Sequence, residues 1–376
     1  MPAERKLPKV LVLFGTRPEI IKLAPVIHQL RRAGHPTVVV SSSQHRELLS
    51  PFLGLLGIET DHDLRVMRRG QGPNDVCSRT IARLDPLLKE LKPDIVLVQG
   101  DTTTALAGAL AAFNLGIRVG HVEAGLRSGN RLSPFPEEMN RRLISRVADL
   151  HFAATRANRD TLLSEGVPAA SISVTGNPVV DSLLKISRGL VPGPRLAAVL
   201  KKTAGLRQIL LTTHRRESFG DTMEGNLRVL KNFVRSRPDT CLVFPVHPNP
   251  NVRRVTDELL ADEERIFLLE PLDYTDFIAV MRASWLIVSD SGGVQEEAPS
   301  LGKPLLVLRE NTERPEAIES GVAKLVGRSP RSLKRLLEEN YGDETWIRSV
   351  GRVKNPFGDG RAAERIAAFI ERKVRV

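Results

Sequence analysis

Short apolar runs alternate with amphipathic stretches from one end of the chain to the other. In the first half the runs predict strands over 9–14, 37–41, 94–98, 117–122, 149–153 and 172–175. In the second half they predict strands over 208–213, 240–246, 266–269, 285–289, 304–308 and 323–326. Most runs are hydrophobic without alternation, as parallel strands covered on both faces require. Between them, 20–33, 102–113, 136–147 and 223–235 carry helical periodicity. Strand, helix, strand repeated in this way predicts open parallel α/β sheets.

The two sets of strands meet at Gly189-Leu190-Val191-Pro192-Gly193-Pro194, a Gly/Pro-rich joint. The expected architecture is two Rossmann-like doubly wound domains, 1–188 and 189–360, whose strand tips and ligand loops face a central cleft. Arg17-Pro18-Glu19 follows the first strand and Arg314-Pro315-Glu316 follows a late one. Proline suits the first helical position, so each arginine is expected in a loop just before a helix.

Composition narrows the function classes. At 376 residues the chain is long enough for two or three domains, and 41% hydrophobic with 26% charged residues is the mix of a soluble globular protein. The net charge of +11 favours acidic partners. Yet the basic residues are scattered and aromatics make up only 4%, which argues against a nucleic-acid partner. Cys77 and Cys241 are the only cysteines, and no His/Cys cluster has metal-ligand spacing, so no metal is expected. The apolar stretch 105–117 is too short to span a bilayer, and the N-terminus passes from charges straight into a strand-like run. A cytoplasmic protein with no membrane partner is expected.

Six constellations carry candidate chemistry. Gly15-Thr16-Arg17-Pro18-Glu19-Ile20-Ile21-Lys22 is neither a GxGxxG nor a P-loop, but it sets Arg17 and Lys22 at a strand tip. Asp101, in Gln99-Gly100-Asp101-Thr102, fits a catalytic carboxylate and fits an N-cap; taken alone, capping is the stronger account. Glu123, in His121-Val122-Glu123-Ala124-Gly125-Leu126-Arg127, ends a neighbouring strand and can share a crevice with Asp101. Two close carboxylates push their pKa values apart, which suits proton transfer; a salt bridge to Arg127 or Arg131 is the competing account. In Pro136-Glu137-Glu138 the acidic residues fit the first turn of a helix, with Glu137 left open as a functional group. His214-Arg215-Arg216 joins an imidazole to two guanidiniums at a strand tip, and His247 is a weaker case of the same kind. Ser291-Gly292-Gly293 precedes a helix that carries Glu297, an arrangement suited to a diphosphate and to sugar hydroxyls.

Together the segments GTRPEIIK, QGDTTT, GHVEAGLRSG, SPFPEEMNR, THRRESFG, PVHPNPNVR, SDSGGVQEEAPSLGKP, NTERPEA and NPFGDGRAAERI resemble the non-hydrolysing UDP-N-acetylglucosamine 2-epimerases. The resemblance implies a fold like that of GT-B glycosyltransferases, with the final helix, about 361–376, packing back onto the N-terminal domain. It implies interconversion of UDP-N-acetylglucosamine and UDP-N-acetylmannosamine by a homodimer, with no metal or nicotinamide cofactor. UDP would be eliminated to a 2-acetamidoglucal and added back after the proton returns to the other face. By the same resemblance Arg17, Lys22, Ser291, Gly292, Gly293, Glu297 and Arg314 would hold the nucleotide sugar, with Phe277 near the uracil. Asp101, Glu123 and Glu137 would move the proton and support the sugar, and His214 would assist the diphosphate. A second, activating UDP-N-acetylglucosamine site is matched by Gln44, Gln71, Arg215 and His247. Gly70 and Glu47 depart from that site's usual arginine and glutamine. The competing classes are a GT-B glycosyltransferase, a hydrolysing epimerase and a non-catalytic nucleotide-sugar sensor.

Overall fold

The structure, a computed structural model, describes residues 6–43, 52–68, 70–213 and 220–374. The chain divides into two compact units, Met1–Ser182 with Phe357–Val376, and Leu183–Pro356.

The first unit is built on seven parallel strands: β1 (Val10–Phe14), β2 (Thr37–Ser41), β3 (His62–Asp63), β4 (Ile95–Gln99), β5 (Arg118–Ala124), β6 (Leu150–Ala153) and β7 (Ile172–Val174). Their order is β3-β2-β1-β4-β5-β6-β7. The chain winds outward from β1 to β3, then crosses to β4 on the other side. The order therefore reverses between β1 and β4, where the loops leaving two adjacent strand tips diverge and open a binding crevice. Both strands are buried along their whole length, which explains their unbroken apolar runs.

The second unit repeats the plan with β8 (Arg207–Thr212), β9 (Thr240–Pro245), β10 (Ile266–Leu269), β11 (Leu286–Ser289), β12 (Leu305–Val307) and β13 (Ala323–Leu325). Its order, β10-β9-β8-β11-β12-β13, reverses between β8 and β11. Each unit thus presents one switch point; Arg17 and Asp101 follow β1 and β4 in the first, and Ser291 follows β11 in the second.

The fold class read from the sequence is confirmed as two parallel-sheet α/β units, and each expected strand is present with its ends displaced by no more than two residues. The pair His62–Asp63 was not expected; two residues make no periodic signal, and β3 bonds only Val40 and Ser41 of β2. The first helix, Arg17–Arg32, begins before the expected 20–33 because Thr16 caps it, with Pro18 in its first turn. Arg17 therefore belongs to the helix rather than to a preceding loop, whereas Arg314 stands immediately before the helix Pro315–Glu319.

The final helix, Ala362–Lys373, packs within the first unit. Phe369 meets Phe152 of β6 edge to face at 5.9 Å, and the Asp181 carboxylate accepts the N–H groups of Ala362 and Ala363 at 3.2 and 2.9 Å. Ahead of it, the Phe357 carbonyl accepts the Asn177 N–H at 2.7 Å. No helix among the described residues is long and apolar enough to cross a membrane.

Candidate active site

The loop after β1 is shaped by close approach. A Cβ on Gly15 would lie 2.3 Å from Ser42 Oγ and 2.6 Å from Thr104 Oγ1, so only glycine fits there. The loop closes on Glu19, whose Oε2 accepts the Gly15 N–H at 3.0 Å and the Thr16 N–H and Oγ1–H at 2.7 Å each. Its Oε1 accepts Thr102 Oγ1–H, from the loop after β4, at 2.8 Å. One buried carboxylate thereby ties the two switch-point loops together. Sequence reading passed over Glu19 as a functional element, although its place three residues after Thr16 is the capping-box spacing.

Burial pushes the Glu19 carboxyl up from 4.5 to about 7, against the pull of these donors. Between those values the folded protein holds a proton that the unfolded chain has released. The Glu19 contribution to stability is therefore fully present below 4.5 and is lost as pH rises through about 7. The full window corresponds to about 3 kcal/mol at roughly 1.4 kcal/mol per unit. Glu19→Gln has no such proton to lose. Urea unfolding at about pH 5 and about pH 8 should show wild type losing up to about 3 kcal/mol relative to the variant; parallel pH dependence in the two proteins would contradict this.

Glu123 has a φ of 65°, a left-handed backbone uncommon for a non-glycine residue. It is the extra residue of a bulge, since β5 shifts register against β6 between Val122 and Ala124. The bulge turns its carboxylate toward Lys22, whose Nζ donates to Oε1 at 2.5 Å, and toward Asn177, whose Nδ2 donates at 2.8 Å. Gln99 Nε2 donates to Oε2. Three donors thus face one carboxylate. The competing account, a salt bridge to Arg127 or Arg131, is not what the structure shows: Arg127 is turned onto Glu165 at 2.7 Å, and Lys22 is paired with Glu123.

Asp101 is not the helix cap. Thr102 takes that place, its side chain accepting the Ala105 N–H at 3.0 Å, which leaves the Asp101 carboxylate to Arg141 Nη2 at 2.5 Å and Nε at 3.1 Å. Burial pushes the Asp101 carboxyl above its usual range, Arg141 opposes the shift, and the charges of Glu123 and Glu137 add to it. The three carboxylates therefore share one electrostatic neighbourhood. Glu137 is half-buried in the first turn of the helix Glu137–Val147. Glu138 is structural, bonded to the Ser128 N–H and to Arg141 and Arg142. Gln99, Arg141 and Asn177 escaped the sequence reading because their partners are far away in the chain.

In the second unit Ser291 precedes the helix Gly292–Glu297, whose first N–H groups follow the tip of β11. A Cβ on Gly292 would lie 2.6 Å from Arg314 Nη1 and 2.9 Å from its Cζ, so glycine is needed to admit the guanidinium. Arg314 is buried, with Nε on Glu296 at 2.6 Å and Nη1 on Glu313 at 3.3 Å. Gly293 is half-buried beside this turn. Glu297 accepts Tyr274 Oη–H at 2.7 Å, a partner the sequence did not indicate, and half-buried Phe277 lies on the same helix as Tyr274. The arrangement concentrates backbone donors over a buried cation, which suits an anionic ligand.

His214, Arg215, Gln44 and Glu47 lie outside the described residues. Gln71 accepts the Arg68 N–H at 2.8 Å, and exposed His247 accepts the Asn249 N–H through Nδ1 at 3.2 Å. Among the described residues no group of three or more His, Cys, Asp or Glu side chains is placed to hold a metal ion.

Residues 28–371 match the family model described as UDP-N-acetylglucosamine 2-epimerase. The UDP-N-acetylglucosamine 2-epimerase of Salmonella typhimurium is 45% identical over 364 residues, covering 95% of this chain and 97% of the relative. The crystal structure of UDP-GlcNAc 2-epimerase from Neisseria meningitidis, bound to UDP-GlcNAc, is similar with a TM-score of 0.87 at 40% identity, covering 96% of this chain and 98% of that one. A glycotransferase of kitacinnamycin, 13% identical with a TM-score of 0.67, covering 98% of this chain and 100% of that one, shares the fold alone.

Proposed function

The chain belongs to the UDP-N-acetylglucosamine 2-epimerase family, and from that premise we propose that it interconverts UDP-N-acetylglucosamine and UDP-N-acetylmannosamine. The observation that carries the chemistry is the carboxylate group Asp101, Glu123 and Glu137, gathered around Asp101, which follows β4 at the switch point of the first unit. A C2 proton on a sugar is only weakly acidic, so its removal needs a placed base and an advanced break of the C1–oxygen bond. The proton passes to a carboxylate, C1 and C2 become doubly bonded, and the C1–oxygen pair leaves on the UDP β-phosphate. Return of UDP to C1 with a proton delivered to the opposite face of C2 gives the epimer.

Charge on the departing UDP is the second demand, and fixed donors meet it best because they need no reorganisation. Ser291, Gly292 and Gly293 suit the diphosphate, with the Arg314 charge beneath their turn. Glu297 suits ribose hydroxyls and Phe277 a uracil face. Arg17 and Lys22 supply cations on the first unit, and His214 is assigned the proton traffic of the diphosphate. Gln44, Gln71, Arg215 and His247 are assigned to a second, activating nucleotide-sugar site.

The experiment is separation of the products formed from UDP-N-acetylglucosamine alone. UDP-N-acetylmannosamine supports the proposal; free N-acetylmannosamine with UDP, or turnover only with an added acceptor, would refute it. We further infer a cytoplasmic homodimer. Reduced Cys77 and Cys241 fit that compartment, and exposed Phe113 and Leu143 lie on the packed helices Thr103–Asn114 and Glu137–Val147, an apolar surface for a second copy. Sedimentation at twice the 41.5 kDa chain mass and recovery with the cytosolic fraction are the expected results; a monomer would refute the first.

A further inference from the structure

His121 is wholly buried in β5, two residues before Glu123, and its Nε2 faces the Gly100 carbonyl at 2.7 Å. A carbonyl oxygen has no proton to offer, so Nε2 carries the hydrogen and donates it. Burial lowers the imidazole pKa to about 3, so the ring stays neutral and the donor is present throughout the physiological range. The Gly100 N–H in turn donates to the Val122 carbonyl at 3.0 Å. Gly100, with a φ of 68°, is thereby held to β5 at both its N–H and its carbonyl. That carbonyl belongs to the same rigid peptide plane as the Asp101 nitrogen, so fixing it fixes the direction in which Asp101 leaves the turn.

We propose that His121 is a positioning residue for the reaction: through the Gly100 carbonyl it sets where the Asp101 carboxylate stands relative to Glu123, which is carried on the same strand as His121. The inference rests on the epimerase reading above. His121 itself reaches no substrate, and it moves no proton in the cycle. Its neighbour Gln99 donates to Glu123 from the other side of Gly100, so the turn links both carboxylates.

The test uses three substitutions in the full-length enzyme. Glutamine places a side-chain N–H donor as many bonds from the backbone as imidazole Nε2, whereas asparagine stops one bond short. Methionine fills the volume without a donor. His121→Met and His121→Asn should lower kcat on the order of 10- to 100-fold, the scale of a misplaced reacting group, with KM nearly unchanged. His121→Gln should recover kcat to within about threefold of wild type, the donor being restored. Should the methionine variant fail to fold, the contrast of glutamine with asparagine gives the same readout. Equal kcat in the glutamine and asparagine variants, or losses confined to KM, would overturn the role of His121. A wild-type enzyme that forms no UDP-N-acetylmannosamine would instead remove the epimerase reading itself.

Discussion

Glu123→Gln is expected to lower turnover about 10²- to 10⁴-fold, the range associated with losing a placed acid or base, while UDP-N-acetylglucosamine binding stays within a few-fold of wild type. The surroundings make the substitution severe. Lys22, Gln99 and Asn177 all donate to this carboxylate, so an amide nitrogen introduced there meets a donor wherever it turns. Lys22 at 2.5 Å also loses the charge it faces. Steady-state kinetics on the variant, with nucleotide-sugar affinity measured by calorimetry, separate the two effects. A kcat within about threefold of wild type would take Glu123 out of the chemistry.

Arg314→Met is expected to cost about 3–5 kcal/mol of stability, because it breaks two buried ion pairs at once. Arg314 is 8% exposed, and its guanidinium meets Glu296 at 2.6 Å and Glu313 at 3.3 Å, beneath the Gly292 turn. Methionine matches much of the volume, so the loss reports the charge rather than a cavity. The same variant should bind UDP more weakly, since the cation under the turn is gone. Urea unfolding of the variant gives the first quantity and calorimetry with UDP the second. A stability change below about 1 kcal/mol would mean that the two glutamates do not depend on Arg314.

The alternation of apolar runs made both sheets legible, because buried parallel strands are written as unbroken hydrophobic segments. The ends of those strands were legible too, to within two residues, and with them the neighbourhoods of Arg17, Asp101, Glu123 and Ser291. What the chain did not display was pairing. Asp101 looked like a cap because aspartate precedes a helix, yet Thr102 stands one residue closer and takes the Ala105 N–H. Arg127 looked like the cation for Glu123 because it is near in sequence; Lys22 is near in space, brought there by the adjacent strands β1, β4 and β5. The backbone at Glu123 is a third case, for a φ of 65° at a glutamate arises from a bulge against β6 and has no local signature. Glu19 was legible as half of a capping box, but its bond to Thr102 crosses between two loops. Asn177 depends on a longer reach still, held by the carbonyl of Phe357 from the end of the chain.

In the proposed reaction, carboxylates of the first unit remove and replace the C2 proton of a UDP-sugar as UDP leaves and returns. Proton NMR of the enzyme with UDP-N-acetylglucosamine in deuterated water tests it most directly. UDP-N-acetylmannosamine carrying deuterium at C2 is the expected product. Epimer formed with its original C2 hydrogen retained, or free N-acetylmannosamine released with UDP, would contradict it.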